Sequence, residues 1–217
     1  MSPRSAEQFE EIREEKKKLI MQVALELFAN DGFHTTTISR IAQKAGISKG
    51  LMYNYFVSKE ELLSSIFYNM LNRTMEMIDP DQDEIITHEE AEAFFDRFFD
   101  VLVANPQEWR LFYQLTVQKE VFKLIMKENM DNKVQNSQQM ILNYFAKQNF
   151  KDPELIVILF SSIFKGFTLM YAFAPEMFTP GILQKLKQAM KDMFINKDKS
   201  SNGKSIELDE KLGYYLL

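Results

Sequence analysis

Apolar residues along this chain recur at intervals of three and four and almost nowhere alternate, which predicts helices. Leu19, Ile20, Val23, Ala24, Leu27 and Phe28 form one stripe. They predict a first helix from about Ala6 to Asn30 whose opening turns, EQFEEIREEKKK, face water. Asp31-Gly32 closes it, because glycine takes the left-handed conformation past a helix C-terminus. A short helix from Thr37 to about Ala45 carries Ile38, Ile41 and Ala42 on one side. Gly46 stops it, and Ser48 caps a second short helix, Lys49 to Tyr55. Ser58 and Glu61 have the spacing of a capping box and open a helix bearing Leu62, Leu63, Ile66, Phe67, Met70 and Leu71. The aperiodic acidic run DPDQDE at 79–84 marks the junction between two halves of the chain.

Thr87 and Glu90 form a second box ahead of Phe94, Phe95, Phe98, Phe99 and Leu102. Three further helix starts pair a capping residue with proline: Asn105-Pro106, Asp152-Pro153 and Thr179-Pro180. Trp109, Phe112, Tyr113 and Val117 mark one helical piece, and Val134, Ile141, Leu142 and Phe145 another, with a break expected near Gln118–Met130. Leu155–Phe173 is strongly apolar, and Ile182–Phe194 is amphipathic. NKDKSSNGKS at 196–205 reads as a flexible linker, and IELDEKLGYYLL as a short docked segment or free tail. The prediction is an all-α fold of about nine helices, divided at 1–72, 73–195 and 196–217.

Composition narrows the chemistry. The chain has 217 residues, no cysteine, seven glycines and six prolines, against 19 Phe and 13 Met. Disulfides, thiolate metal sites and cysteine nucleophiles are excluded. The charged N-terminal stretch has no apolar core of the kind a signal peptide needs, so an intracellular, cytoplasmic protein is expected. The apolar run at 155–174 has the length of a membrane span. Lys165 lies near its centre, where a charge costs at least about 3 kcal/mol. A helix buried at a subunit contact is the expected reading, with Gly166 allowing close approach and no membrane involved. His34 and His88 belong to no catalytic motif, and no phosphate-binding loop or nucleophile elbow occurs. No enzyme activity, cofactor or metal site is expected.

Net charge is −5, yet from Gly32 to Lys59 there is no Asp or Glu, and Arg40, Lys44, Lys49 and Lys59 are all basic. Such a window is a local footprint for an anionic partner. Residues 37–56 have the layout of a helix-turn-helix, with Ala42 small where two helices cross, Gly46 in the turn, and Ile47 and Met52 plugging the seam. The second helix would then offer Ser48, Lys49 and Gly50 at its amino end. Its free N–H groups suit phosphate, Lys49 reaches a guanine edge or a phosphate, and Gly50 lets the backbone come close to DNA. Tyr53 follows Lys49 by one turn on the same side. Tyr55 is offset and reaches the strand backbone through its hydroxyl, while Phe56 points inward. Lys59 and Thr37, each at a helix start, are expected to meet phosphates.

The run TTTISRIAQKAGISKGLMYNYFVSKEELL resembles the DNA-binding domain of tetracycline-repressor-type (TetR family) transcriptional regulators. The resemblance covers roughly residues 13–71. It rests on the paired threonines, Ile41-Ala42, Ala45-Gly46-Ile47-Ser48, Lys49-Gly50, the Tyr-x-Tyr-Phe run and Lys59; many members have histidine where this chain has Tyr55. It implies a homodimer with an all-helical C-terminal domain that binds a small molecule. It also implies backbone contacts from Thr37, Tyr53, Tyr55 and Lys59 and base contacts from Ser39, Lys49 and Asn54. Arg40 joins this set through the basic window. Beyond residue 80 the resemblance is one of architecture only.

Phe98, Trp109, Phe112, Tyr113, Phe122, Phe164 and Tyr171 are candidates for an aromatic-walled pocket between helices. The reading is a ligand-responsive dimeric regulator. It is a repressor released from a palindromic double-stranded DNA operator by a small apolar or aromatic effector, and it pairs through helices at about 153–173 and 180–195. The alternative is a helical protein-interaction module that does not bind DNA.

Overall fold

The computed structural model describes residues 6–128, 132–148 and 150–196; of the linker and tail expected at 196–217, all but Asn196 lie outside them. Among the described residues there are ten α-helices and no strand. They are α1 (Ala6–Asp31), α2 (Ile38–Lys44), α3 (Lys49–Met52), α4 (Lys59–Ile78) and α5 (His88–Ala104), followed by α6 (Pro106–Thr116), α7 (Lys119–Glu128), α8 (Asn132–Lys147), α9 (Pro153–Phe173) and α10 (Pro180–Phe194). A single 3₁₀ turn, Pro175–Met177, joins the last two.

Local chemistry sets most of the starts. The side chains of Thr37, Ser48, Ser58, Thr87, Asp152 and Thr179 each accept a backbone N–H three residues on. Thr87 and Glu90 complete a reciprocal box. At Ser58 the box is open, because Glu61 reaches past Ser58 to the N–H of Val57. Asn105 makes no cap bond; its amide donates back to the carbonyl of Val101 instead.

Two expectations need correction. Much of the segment read as a break near Gln118–Met130 is the helix α7, entered after a sharp turn at Val117 and Gln118. Val121, Leu124 and Ile125 give it a helical apolar stripe, and Val121 and Ile125 are buried. The second short helix ends at Met52 rather than Tyr55. Asn54 and Tyr55 donate to Leu51 and Met52, three residues back, so the chain tightens there instead of continuing as α-helix.

The helices enclose two cores. The first joins α1 to α4 around Ile20, Phe28, Ile41, Met52, Phe56 and Leu62, and also takes Leu111 and Leu115 from α6 and Val121 and Ile125 from α7. The second is aromatic, built on Phe94, Phe95, Phe98, Phe99, Trp109, Phe145, Phe167 and Phe194. Helix α4 serves both: Leu62, Leu63 and Ile66 lie in the first core, and Met70 and Ile78 in the second.

Candidate nucleic-acid interface and aromatic cluster

Helix α3 is only one turn long, and its inner side is pinned. Met52 and Phe56 are buried against α1 and α2, where Ile41, Ala42 and Ala45 leave room for the crossing. Gly46, between the two short helices, has φ +67°, a conformation strained for any residue with a Cβ. Everything at the other end of α3 is open. Ser48, Lys49, Gly50, Tyr53 and Asn54 are exposed, Tyr53 by 46%. A Cβ built at Gly50 meets nothing within 4 Å. The side-chain oxygen of Ser48 takes the N–H of Leu51 at 3.1 Å. The N–H groups of Lys49 and Gly50 start the helix and have no intrahelical acceptor. One turn of helix carries little macrodipole, so an anion here would be held by these N–H groups and by Lys49. Thr37, Ser39 and Arg40, at the start of α2, are exposed as well. Tyr55 is half-buried against the first core.

The basic window looks different in three dimensions. Arg40 pairs with Asp31 at 3.0 Å, and Lys44 with Glu26 at 3.0 Å, both partners lying on α1. Lys59 was expected to face a phosphate. Its ammonium instead bonds the carbonyls of Phe33 (2.7 Å), Thr36 (3.1 Å) and His34 (3.3 Å), 4.5 Å from the centre of the Phe33 ring. Those bonds occupy all three of its donors, so Lys59 ties α4 to the turn between α1 and α2. Of the four cations, Lys49 alone has no ion pair or hydrogen bond of its side chain among the described residues.

Sequence reasoning missed a polar group that helps join the two halves. Gln118, at the α6–α7 corner, donates to the carbonyl of Phe28 at 2.7 Å and accepts from the N–H of Phe33 at 2.9 Å. Both partners flank the C-terminal end of α1, more than 80 residues away in the chain. Only its place between two apolar helices could have drawn attention to a lone glutamine.

The predicted aromatic residues divide. Phe98, Trp109, Phe164 and Tyr171 lie in or against the second core, with Phe112 and Tyr113 partly buried beside them. Phe98 meets Phe164 with ring centres 4.1 Å apart and Trp109 at 5.4 Å. Phe122 does not belong: it is 53% exposed on α7, whose inner face turns toward the first core. The cluster is filled by its own rings. The cavity within it, lined by Phe94, Phe95, Tyr144, Phe145 and Phe160, measures about 30 Å³, whereas ligand sites run to about 300 Å³ or more. Among the described residues, Arg97 Nε, Trp109 Nε1 and the Tyr144 hydroxyl are buried donors of this half without a partner, the last two on aromatic side chains. Burial pushes the Tyr144 hydroxyl up to about 12, with the charge of Glu92 adding to it. Burial does the same to Tyr113, partly offset by the neighbouring Thr168 side chain.

Residues 20–66 match the family of bacterial regulatory proteins described as the tetR family. The chain is 30% identical over 110 residues to the fatty acid metabolism regulator protein of Bacillus subtilis (strain 168), which spans 51% of this chain and 57% of that protein. It is 42% identical over 57 residues to the HTH-type transcriptional regulator RutR of Escherichia coli (strain K12), 26% of this chain and 27% of that one. These alignments thus cover little more than half of the first relative's length and about a quarter of the second's. Among solved structures, the fatty acid degradation regulator FadR from Bacillus halodurans superposes with TM-score 0.59 at 21% identity, covering 83% of this chain and 94% of that one. A transcriptional regulator from Aquifex aeolicus VF5 gives TM-score 0.62 at 21% identity, over 82% and 99%. Likeness at this identity speaks for the fold alone.

Proposed function

Because residues 20–66 match the tetR family of bacterial regulatory proteins, we propose that the chain is a member of it, a homodimeric transcriptional regulator whose α2–α3 surface reads double-stranded DNA. One observation carries the proposal: the amino end of α3 is open to solvent while Met52 and Phe56 lock its other side to the core. Lys49 and Asn54 would meet base edges, with Ser39 beside them. Thr37, Ser48, Tyr53 and Tyr55 would hold the backbone, and Gly50 would let the duplex close in. Arg40 is shared with Asp31, so its contribution would be weaker. Lys59 acts one step removed, by fixing the turn on which Thr37 stands. A protein with this role works in the cytoplasm, where the DNA is.

The dimer would form through α9 and α10. Leu155, Ile158, Leu159, Ile163, Met170 and Phe173 are exposed apolar residues at helical spacing on α9, with Ile158 exposed by 61%. A stripe of this size calls for a cover. By length and composition α9 could also cross a membrane, so the test must separate the two. A homodimer in sedimentation, without detergent, supports the pairing; a monomer that needs detergent argues against it. Two heads spaced by about one helical turn of DNA, roughly 34 Å, would then read a palindromic operator.

Release by an effector follows from the shared helix α4. A small apolar or aromatic molecule entering the second core would have to part rings that now fill it, moving Met70 and Ile78 and tilting the head that α4 carries. The unpartnered Trp109 and Tyr144 donors favour an effector with a hydrogen-bond acceptor. Two relatives are named for fatty acid regulation, which makes acyl compounds the first to try. Affinity shifts only as far as the effector prefers one arrangement.

The test is fluorescence anisotropy on DNA from upstream of the chain's own gene, over a salt series. Specific binding is expected, with Lys49→Ala costing about 1–3 kcal/mol of base discrimination. Indifference to DNA at low salt would return the chain to the reading of an interaction module.

A further inference from the structure

The loop between α4 and α5 contains the sequence Asp79-Pro80-Asp81-Gln82-Asp83-Glu84-Ile85-Ile86-Thr87-His88-Glu89-Glu90. Read as twelve positions, it has carboxylates at the first, third, fifth and twelfth. That is the ligand pattern of an EF-hand calcium loop between two helices, in which the seventh position lends a backbone carbonyl. The departure is at position six, where the pattern has glycine and this chain has Glu84. Glycine serves there to take a left-handed backbone, and Glu84 takes it anyway, at φ 63°. Gln82, at position four, does the same at φ 59°.

The side chains converge. Asp79, Asp81 and Asp83 each place a carboxylate oxygen so that all three lie within 4.8 Å of one another. Oxygens on opposite sides of a calcium ion, at about 2.3–2.6 Å from it, stand about 4.6–5.2 Å apart. Asp79 is only 6% exposed. Its Oδ2 accepts the N–H of Glu84 at 3.1 Å, but its Oδ1 is buried and has no hydrogen-bond partner. A buried carboxylate oxygen without a donor is costly unless a cation meets it. The local sequence supplies no cation: from Thr74 through Asp96 there are nine Asp and Glu and no Lys or Arg. The negative end of α4 points into the same corner.

We propose that the α4–α5 loop is a binding site for a divalent cation of the calcium type, held by Asp79, Asp81 and Asp83, with the Ile85 carbonyl and water completing the shell. All-oxygen ligands select calcium, magnesium or manganese over softer metals. Carboxylates on an irregular loop suit calcium better than magnesium, which demands near-octahedral geometry. Glu90 already bonds the N–H of Thr87 at 2.9 Å and its hydroxyl at 2.8 Å, capping α5, and the site does not require it. A bound ion would tie the end of α4 to the start of α5. The proposal departs from the expectation of no metal site and does not depend on the chain binding DNA.

Calorimetric titration of the EGTA-stripped protein with calcium chloride, then with magnesium chloride, tests it. The expected result is one calcium per chain with Kd between about 10⁻⁵ and 10⁻³ M, and magnesium at least about tenfold weaker. Asp81→Asn and Asp83→Asn, both at exposed positions, should each weaken calcium at least about tenfold while leaving Tm in EGTA unchanged. Asp79→Asn should abolish binding and hold or raise Tm in EGTA, because it removes a buried charge; a merely structural Asp79 would lower it. Calcium should raise the Tm of the unaltered protein and not that of Asp79→Asn. No saturable binding up to about 10 mM, tenfold beyond the weakest such loops, would overturn the proposal. So would binding untouched by Asp81→Asn and Asp83→Asn, or a preference for magnesium.

Discussion

The two cores differ in how they are built. The first is mainly aliphatic, with Phe28, Phe33 and Phe56 among its members, and is held at its edges by directed polar contacts: Lys59 on three carbonyls, Gln118 on two backbone groups, Thr36 on the carbonyls of Leu27 and Gly32. The second is a continuous stack of rings with few polar ties and several unpartnered buried groups. Directed bonds fix one geometry, as a surface that matches a rigid duplex requires. Rings in van der Waals contact can slide and part at lower cost, as a core that admits a ligand requires. Yet the first core borrows four residues from α6 and α7, so the halves are not independent.

Five perturbations bear on this comparison, from the largest expected effect to the smallest. The fragment 1–72 lacks Leu111, Leu115, Val121 and Ile125. At about 1.5–3 kcal/mol for each buried side chain, that loss rivals the stability of a whole domain. The fragment is therefore expected to show little helical circular dichroism; a cooperative melt would prove the head self-sufficient. Phe98→Ala opens the centre of the ring stack and should cost about 3–5 kcal/mol in urea unfolding. Trp109 is the only tryptophan and touches Phe98, so its fluorescence reports on the second core alone. If circular dichroism and fluorescence then unfold at different urea concentrations, the two cores are separate cooperative units.

Gln118→Ala leaves the N–H of Phe33 without its acceptor and should cost about 1–3 kcal/mol. Its effect on DNA affinity should exceed its distance from the interface, since it frees the end of α1. The acid limb depends on Asp96. Burial acts to raise its pKa, but hydrogen bonds from Lys187 and Lys191, each at 2.7 Å, and their charges hold it below the usual carboxylate range. A lowered folded value means the α5–α10 tie is fully present above about pH 4 and is lost as pH falls through that lowered value. Asp96→Asn should flatten this part of the stability–pH curve. Lys49→Ala should change stability by less than about 0.5 kcal/mol, because nothing in the fold leans on its side chain. A larger change would mean that Lys49 is structural.

Much was legible because it is local. Caps at Thr37, Ser48, Ser58, Thr87, Asp152 and Thr179 use a side chain and an N–H three residues apart, so the sequence contains the whole interaction. The apolar stripes were equally plain, apart from α7, hidden among charged residues. Burial of Phe56 and exposure of Ser48, Lys49, Gly50 and Tyr53 followed from helical phase. Asn105 failed as a cap because its amide could bond backward to Val101, a choice that residue type leaves open.

What sequence alone determined, then, is the all-α class, the starts of most helices and the face that α3 turns outward. Each depends on residues within a turn or two of one another. Only the folded chain decided that Lys59 and Arg40 are already engaged, that Gln118 spans the halves, and that Phe122 stands apart from the other rings. These outcomes turn on groups brought together from positions far apart in the chain. No periodicity or spacing records which distant partner a side chain will meet.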